Sequence, residues 1–394
     1  MKEETENQQA DFISLGIAPS LLKVLDELGF IAPTPIQTRA IPPASAGQDI
    51  VGVAQTGTGK TLAFGLPMIQ NIARQKAMGL VMLPTRELAI QVDENLRLVG
   101  AGLGLRTAVL IGGESFNRQL ESLRRRPHII VATPGRLIDH LGRGGLKLDR
   151  VKFLVLDEAD MMLDMGFAPQ IEEVLRSTPK NRQTMLFSAT MPAAILRIAA
   201  RHMKMPVHVE VAPSGTTVES VNQEMTILKR PDKFPELIKI LVKYRGSVLI
   251  FARTKYGVKN LCRDLKKLNY EAAEIHSDRS LKERRLALEG FKDRRYRILV
   301  ATDIAARGLD IKDIELVVNY DLPEQAEDYV HRIGRTARAG KSGTAVSFAT
   351  PSQIGLVKQI ENLVKKSFLP AVPATANSRP LFKKRRSFGP RRHF

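Results

Sequence analysis

Residues 54–61 read AQTGTGKT, a glycine-rich turn that ends on a lysine and a threonine. Such a turn lets backbone N–H groups close around phosphate oxygens while the lysine reaches the outer ones. Gly57 and Gly59 permit the close approach, Lys60 brings the charge, and the Thr61 hydroxyl is suited to complete a Mg²⁺ shell, although Ala54 stands where the strict pattern has glycine. Residues 157–160 read DEAD. Asp157 is suited to hold Mg²⁺ through water, since that ion keeps much of its hydration, and Glu158 to orient and deprotonate an attacking water. Residues 331–338 read HRIGRTAR. Phosphoryl transfer calls for a positive fork on the γ-phosphate, and the spacing of Arg335 and Arg338 predicts two guanidiniums presented from one helix face. Together the three segments describe a nucleoside-triphosphate engine split between two domains.

These side chains need elements to hold them. Residues 49–53 (DIVGV) read as a short buried strand before the glycine-rich turn, and residues 62–69 (LAFGLPMI) as the start of a helix after it. The run FLVL at 153–156 has the continuous apolar character of a parallel strand covered on both faces. Its C-terminal end, where DEAD begins, is where ligands bind in open α/β sheets. Further strands are predicted at 80–83, 129–131 and 184–187, and a second series at 247–251, 297–300 and 316–318. Each series reads as a doubly wound parallel sheet, so the fold class is α/β.

With 394 residues the chain exceeds one comfortable core. The segment VAPSGTTVES at 211–220 interrupts the periodic pattern, which predicts a first domain over 1–210, a linker over 211–220 and a second domain over 221–368. Residues 369–394 are rich in proline and basic residues and contain no acid, so they are expected to form a disordered basic arm in which Phe382, Phe388 and Phe394 could stack on exposed bases. The net charge is +19, from 60 Lys and Arg against 41 Asp and Glu, which favours a polyanionic partner, nucleic acid over membrane. The single cysteine, Cys262, excludes an internal disulfide and offers no metal cluster. The polar N-terminus MKEETENQQA and the lack of any apolar stretch near 18 residues lead to an expected cytoplasmic location.

The ordered set of these segments with PTRELA (84–89), GG (112–113), TPGR (133–136), SAT (188–190) and ATDIAARGLD (301–310) resembles the DEAD-box RNA helicases, from about Phe12 to about Ala349. The compact body is similar to bacterial members. The resemblance implies two tandem RecA-like domains that close over ATP and single-stranded RNA. It makes Lys60, Asp157, Glu158, Arg335 and Arg338 the catalytic set, with Thr61 and Asp157 for the metal. The nucleotide would lie against Ala54, Gln55, Thr56, Gly57, Thr58, Gly59, Lys60 and Thr61, with Asp310 at the ribose. GFIAPTPIQ at 29–37 resembles the adenine-reading motif: Phe30 would stack on the base, and the Gln37 amide matches the N7 acceptor and N6 donor of adenine. Phe12 resembles the upstream aromatic that supports Gln37. Asp160, Ser188, Thr190 and His331 would couple ATP state to strand separation, with Ser188 and Thr190 bonding to Asp160. RNA would contact Pro84, Thr85, Arg86, Gly113, Thr133, Pro134, Gly135 and Arg136 in the first domain and Arg253, Thr302 and Gly308 in the second, largely through its backbone.

The implied activity is RNA-stimulated ATP hydrolysis coupled to domain closure and to local, sequence-independent unwinding of RNA duplexes or remodelling of RNA–protein complexes. Its cofactors would be ATP and Mg²⁺. Its partners would be single-stranded and duplex RNA and proteins of the ribosomal, mRNP or degradosome type, with no membrane, on a monomeric chain. An ATP-gated RNA clamp with little turnover and a DNA translocase are the rival readings. Three residues depart from the family pattern: Ser277 stands where glycine is frequent, Leu281 where glutamine is common, and Ala337 where glycine is frequent, while Arg284 is kept.

Overall fold

The computed structural model describes residues 11–55, 57–211, 221–306, 314–336 and 343–368. Among the described residues thirteen strands form two sheets, and every pairing between them is parallel. The first sheet contains β1 (Ile50–Val53), β2 (Met78–Met82), β3 (Thr107–Leu110), β4 (Ile129–Ala132), β5 (Val151–Leu156), β6 (Gln183–Ser188) and β7 (Val207–Glu210), in the order β3-β4-β2-β5-β6-β1-β7. The second contains β8 (Val221–Ile227), β9 (Val248–Phe251), β10 (Ala272–Ile275), β11 (Ile298–Ala301), β12 (Leu316–Asn319) and β13 (Gly343–Ala349), in the order β10-β11-β9-β12-β13-β8.

Parallel strands need crossovers, and helices supply them on both faces of each sheet, so the central strands are largely sealed from water. β4, β6, β9, β11 and β12 are buried at every residue. Each sheet accordingly has two apolar cores, one per face. The methionines beside DEAD fill one of these spaces: Met162 is fully buried, and Met161 and Met165 pack on the other face. Cys262 is buried in the Lys255–Lys267 helix, and burial pushes its thiol up to about 11, an inert packing group. The first sheet ends at Glu210 and the second begins at Val221, with most of the intervening 211–220 segment and the 369–394 arm outside the described residues.

Candidate ATP and RNA site

The phosphate loop follows β1, and its entry is tied to the neighbouring strand, because Ala54 N–H donates to the Ser188 carbonyl at 2.9 Å. Gly57 and Gly59 hold left-handed backbone, at φ +85° and +93°, which a residue with a side chain adopts only under strain. Gly59 is the N-cap of the Lys60–Gln75 helix, and no side chain caps it. The first N–H groups of that helix therefore face outward at its positive pole, an arrangement that receives phosphate. Thr58 Oγ1 donates to the Gln55 carbonyl at 2.7 Å and closes the turn from within.

Lys60 lies buried between the loop and DEAD, its Nζ 2.7 Å from Glu158 Oε1 and 3.9 Å from Asp157 Oδ1. Burial alone would lower the Lys60 pKa, but the Glu158 and Asp157 carboxylates outweigh it and hold the ammonium above its ordinary range. Burial pushes Asp157 the other way, up to about 7, despite the neighbouring lysine. A carboxylate held this dry fits a site that receives a cation, and with the hydroxyl of Thr61, the residue after Lys60, it makes the sparse protein donor set that Mg²⁺ uses beside phosphates. Glu158 itself adopts left-handed backbone at φ +53°, and strain of this kind clusters at active sites.

Beyond Glu158 the chain enters a short helix, Ala159–Asp164, and Asp160 becomes a hub. Its Oδ2 accepts from Thr190 Oγ1 at 2.8 Å, Thr190 N–H at 2.9 Å and Ala189 N–H at 3.2 Å, while its own N–H donates to Ser188 Oγ at 3.2 Å. The three first-domain residues expected to couple ATP state to strand separation are thus one hydrogen-bonded unit. Gln37 is buried and its amide already has two partners: Oε1 accepts from Thr34 N–H at 2.9 Å, and Nε2 donates to the Gly59 carbonyl at 3.0 Å. An amide keeps one further lone pair and one further N–H, so Gln37 braces the phosphate loop while retaining the groups that match adenine. Phe30 is 42% exposed, as a base-stacking ring must be, whereas Phe12 is buried in the first domain's core.

The expected RNA-facing residues of the first domain gather at the C-terminal ends of β2 and β4 and in the loop after β3. Pro84, Thr85, Thr133 and Pro134 are buried, whereas Gly113 and Gly135 are exposed. Thr85 caps the Arg86–Gly100 helix by accepting from Leu88 N–H at 3.3 Å. Gly113, at φ +81°, lies so close to the Arg86 guanidinium that an added Cβ would overlap it. Arg136 donates to the Glu114 carbonyl at 3.2 Å and lies over the Phe116 ring. In the second domain Arg253 is exposed, with its N–H donating to Asp321 Oδ2 at 3.2 Å, and Thr302 N–H donates to the Ile275 carbonyl at 3.3 Å. Thr56, Gly308, Asp310 and Arg338 lie outside the described residues.

One expectation is overturned. Arg335 does not belong to a helix face shared with Arg338, because the Ala326–Ile333 helix stops at Gly334. Past that point Thr336 bridges Ile314, and its hydroxyl donates to the Ile314 carbonyl at 2.5 Å, pulling the chain out of the helical path. Arg335 is buried in the turn between these anchors. His331, still within the helix, has Nδ1 4.0 Å from Asp328 Oδ1.

Two positioning contacts escaped the motif reading. Arg332 is buried, its guanidinium paired at 2.5 Å with both oxygens of Asp303 and bonded to Asn319 Oδ1 at 3.1 Å and the Asp321 carbonyl at 2.6 Å. It fastens the segment bearing Arg335 to the end of β12 and to the 303–306 turn. Between domains, Arg284 Nη2 lies 2.9 Å from Glu87 Oε2 in a mostly dehydrated contact. Leu281, one turn earlier, packs on the first domain's core. The residue that departs from the family's glutamine makes an apolar contact across the cleft beside a retained ion pair.

Two parallel-sheet domains, one with a phosphate loop beside a carboxylate pair and the other with a buried arginine, define a two-domain nucleotide-driven nucleic-acid motor. The family model for DEAD/DEAH box helicases matches residues 34–198, and that for the helicase conserved C-terminal domain matches residues 231–340. The chain is 45% identical to the DEAD-box ATP-dependent RNA helicase CshA of Geobacillus kaustophilus, covering 92% of this chain and 79% of that protein. Among solved structures, S. cerevisiae Dbp5 bound to RNA and ADP BeF3 is 31% identical with a TM-score of 0.79, covering 91% of this chain and 94% of that one. Mss116p bound to ssRNA and AMP-PNP is 29% identical with a TM-score of 0.83, covering 94% and 80%. The chain belongs to the DEAD-box family of ATP-dependent RNA helicases, whose members are RNA-dependent ATPases.

Proposed function

We propose that ATP and RNA each bind across the two domains and favour the same closed arrangement, so that each raises affinity for the other. The observation that carries this reading is the buried Lys60–Glu158–Asp157 cluster at the mouth of the glycine loop, joined through the next helix to the Asp160–Ser188–Thr190 unit. An incoming triphosphate competes with Glu158 for Lys60. Once Lys60 turns to the phosphates, the Glu158 carboxylate is released to accept a proton from water, and the γ-phosphate lies against the Lys60 helix N-terminus. Asp157 and Thr61 would hold Mg²⁺, which when bound supplies charge neutralisation at the phosphate oxygens. Arg335, with Arg338, stabilises the charge of the transition state from the second domain.

Asp160 responds to the neighbouring nucleotide and shares its hydrogen bonds with Ser188 and Thr190, the route by which ATP state reaches the RNA-facing loops. Pro84 to Arg86, Gly113, Thr133 to Arg136, Arg253, Thr302 and Gly308 hold the RNA backbone without reading sequence. Single-stranded RNA is the closed-state ligand and duplex RNA the substrate opened locally, in a cytoplasmic, monomeric protein serving RNA–protein assemblies. Among the described residues no helix is long and apolar enough to cross a membrane. The test is ATP hydrolysis without nucleic acid, with single-stranded RNA and with matched DNA, using Glu158→Gln as control. Stimulation by RNA with little from DNA is the expected result; equal stimulation by both, or none, would overturn it.

A further inference from the structure

The N-terminal ends of four adjacent strands, at the opposite edge of the first sheet from the ATP loop, enclose a hollow of about 490 Å³. Its volume lies within the range of small-molecule sites. Lys76, Arg106, Arg126 and Arg150 stand around it, and none of them pairs with a carboxylate among the described residues. Its floor is apolar, from Ile69, Ile72, Met78 and Leu105. A solvated basic face is usually convex and interspersed with acids. This one is concave, apolar at the base and of one charge.

One local feature shows a conflict that an anion would relieve. Arg106 N–H donates to His128 Nδ1 at 3.1 Å, which places the imidazole proton on Nε2. Yet Arg106 Nη2 lies 3.1 Å from that same Nε2, so two donors face each other at hydrogen-bond distance. Burial and the Arg106 charge both hold His128 below its ordinary pKa. Arg106 Nη2 also donates to the Arg126 carbonyl at 3.3 Å, and an oxyanion on the hollow side of the pair would accept from the guanidinium and from the ring N–H once the two move apart.

We propose that this hollow binds a nucleotide, with a phosphate held by Arg106, Arg126, Arg150 and His128 and the base laid on the apolar floor. A phosphate accepts several charge-assisted bonds from guanidinium forks, and a flat ring covers apolar side chains while stacking on an arginine plane. The shared chemistry, a phosphorylated nucleoside, has two sources: a free mononucleotide or the 5′-phosphate end of an RNA strand. The site is separate from the ATP cleft. The Lys60–Gln75 helix, which opens at the phosphate loop, ends one residue before Lys76, roughly 24 Å away at 1.5 Å per residue.

The experiment uses the full chain with its ATP cleft filled by AMP-PNP and Mg²⁺, and three probes: GDP, a 5′-phosphorylated RNA trinucleotide and its 5′-hydroxyl twin. Binding is followed by calorimetry and by the ring resonances of His128. GDP or the phosphorylated trinucleotide is expected to bind and shift the His128 signals, the 5′-hydroxyl twin to do neither, and the two probes together tell which source fits. The doubly substituted Arg126→Gln, Arg150→Gln chain should bind the responding probe about tenfold or more weakly, as expected for the loss of two charge-assisted contacts, with RNA-stimulated ATP hydrolysis unchanged. His128 signals that stay fixed with every probe overturn the proposal in the unmodified chain, whatever the variant does. So does equal binding by the variant.

Discussion

Each domain carries a strand, a loop and a helix in series, at β1 in the first and β9 in the second, yet only the first loop is shaped to receive phosphate. After β1 the loop carries Gly57 and Gly59, and the Lys60–Gln75 helix begins on a glycine with no side-chain cap. After β9 the loop carries Arg253, and the Lys255–Lys267 helix begins on Thr254, whose hydroxyl accepts from Gly257 N–H at 3.0 Å. The first helix leaves its N–H groups for a ligand; the second satisfies one of them with its own chain. The difference teaches how one fold divides the labour. A capped helix is stable without ligand, and in the proposed mechanism its domain contributes a residue from elsewhere, Arg335.

The comparison is broken most severely by removing what the second domain contributes. Arg335→Ala should lower the RNA-stimulated turnover number about 10³-fold or more, the scale of an arginine supplied to a transferring phosphoryl group, with ATP affinity little changed. Steady-state hydrolysis at saturating ATP and RNA measures this. A fall confined to KM would mean that Arg335 binds ground-state phosphate and that the second domain has no transition-state role. On the first-domain side, Glu158→Gln should lower turnover by at least about 10²-fold while the chain still holds ATP and RNA together. Fast RNA release from that variant in ATP would count against coupling through a closed state.

How much of this was legible in the sequence follows from burial. The strands read in advance, β1, β2, β4, β5, β6, β9, β11 and β12, are mostly interior, so their residues form apolar runs. The ones passed over include the sheet edges β3, β7, β8 and β10, where one face meets water and sequences such as VHVE alternate. β13 is interior, but Gly343, Thr344 and Ser347 dilute its apolar signal. The phosphate loop was legible because its chemistry depends on residue type at short spacing, whereas Asp160 with Ser188 and Thr190, 28 and 30 positions away, was reached through the family resemblance. Arg332 with Asp303, and Arg284 with Glu87, join segments that only the fold brings together. Leu281 was legible as a departure, but its apolar seat on the other domain was not.

The interdomain pair sharpens the comparison at a smaller scale. Gly59→Ala should weaken ATP binding by roughly 10- to 100-fold, since strained backbone of this kind costs on the order of 1–3 kcal/mol and the new Cβ would overlap the Gln37 amide. Arg284→Ala should leave ATP binding to the phosphate loop intact and raise the RNA concentration for half-maximal stimulation about tenfold, because it strands Glu87 in a mostly buried contact between the domains. Titrating RNA at fixed ATP separates the two variants. Equal effects on ATP binding would show that Arg284 supports folding of the second domain, with no part in closure.

The smallest effect tests the comparison itself. Thr254→Ala removes the hydroxyl that caps the second-domain helix and should cost about 1 kcal/mol of stability, read as a lower midpoint for the second domain's unfolding in urea. It opens a helix N-terminus much like that at Gly59, yet no extra nucleotide should bind. The described residues of that loop lack the left-handed glycines that turn successive N–H groups inward, and Lys255 at its start is already paired with Asp278 at 2.9 Å. A second equivalent of ATP bound by Thr254→Ala would mean that an uncapped helix alone makes the site, and the glycines of the first loop would then be needed for another reason.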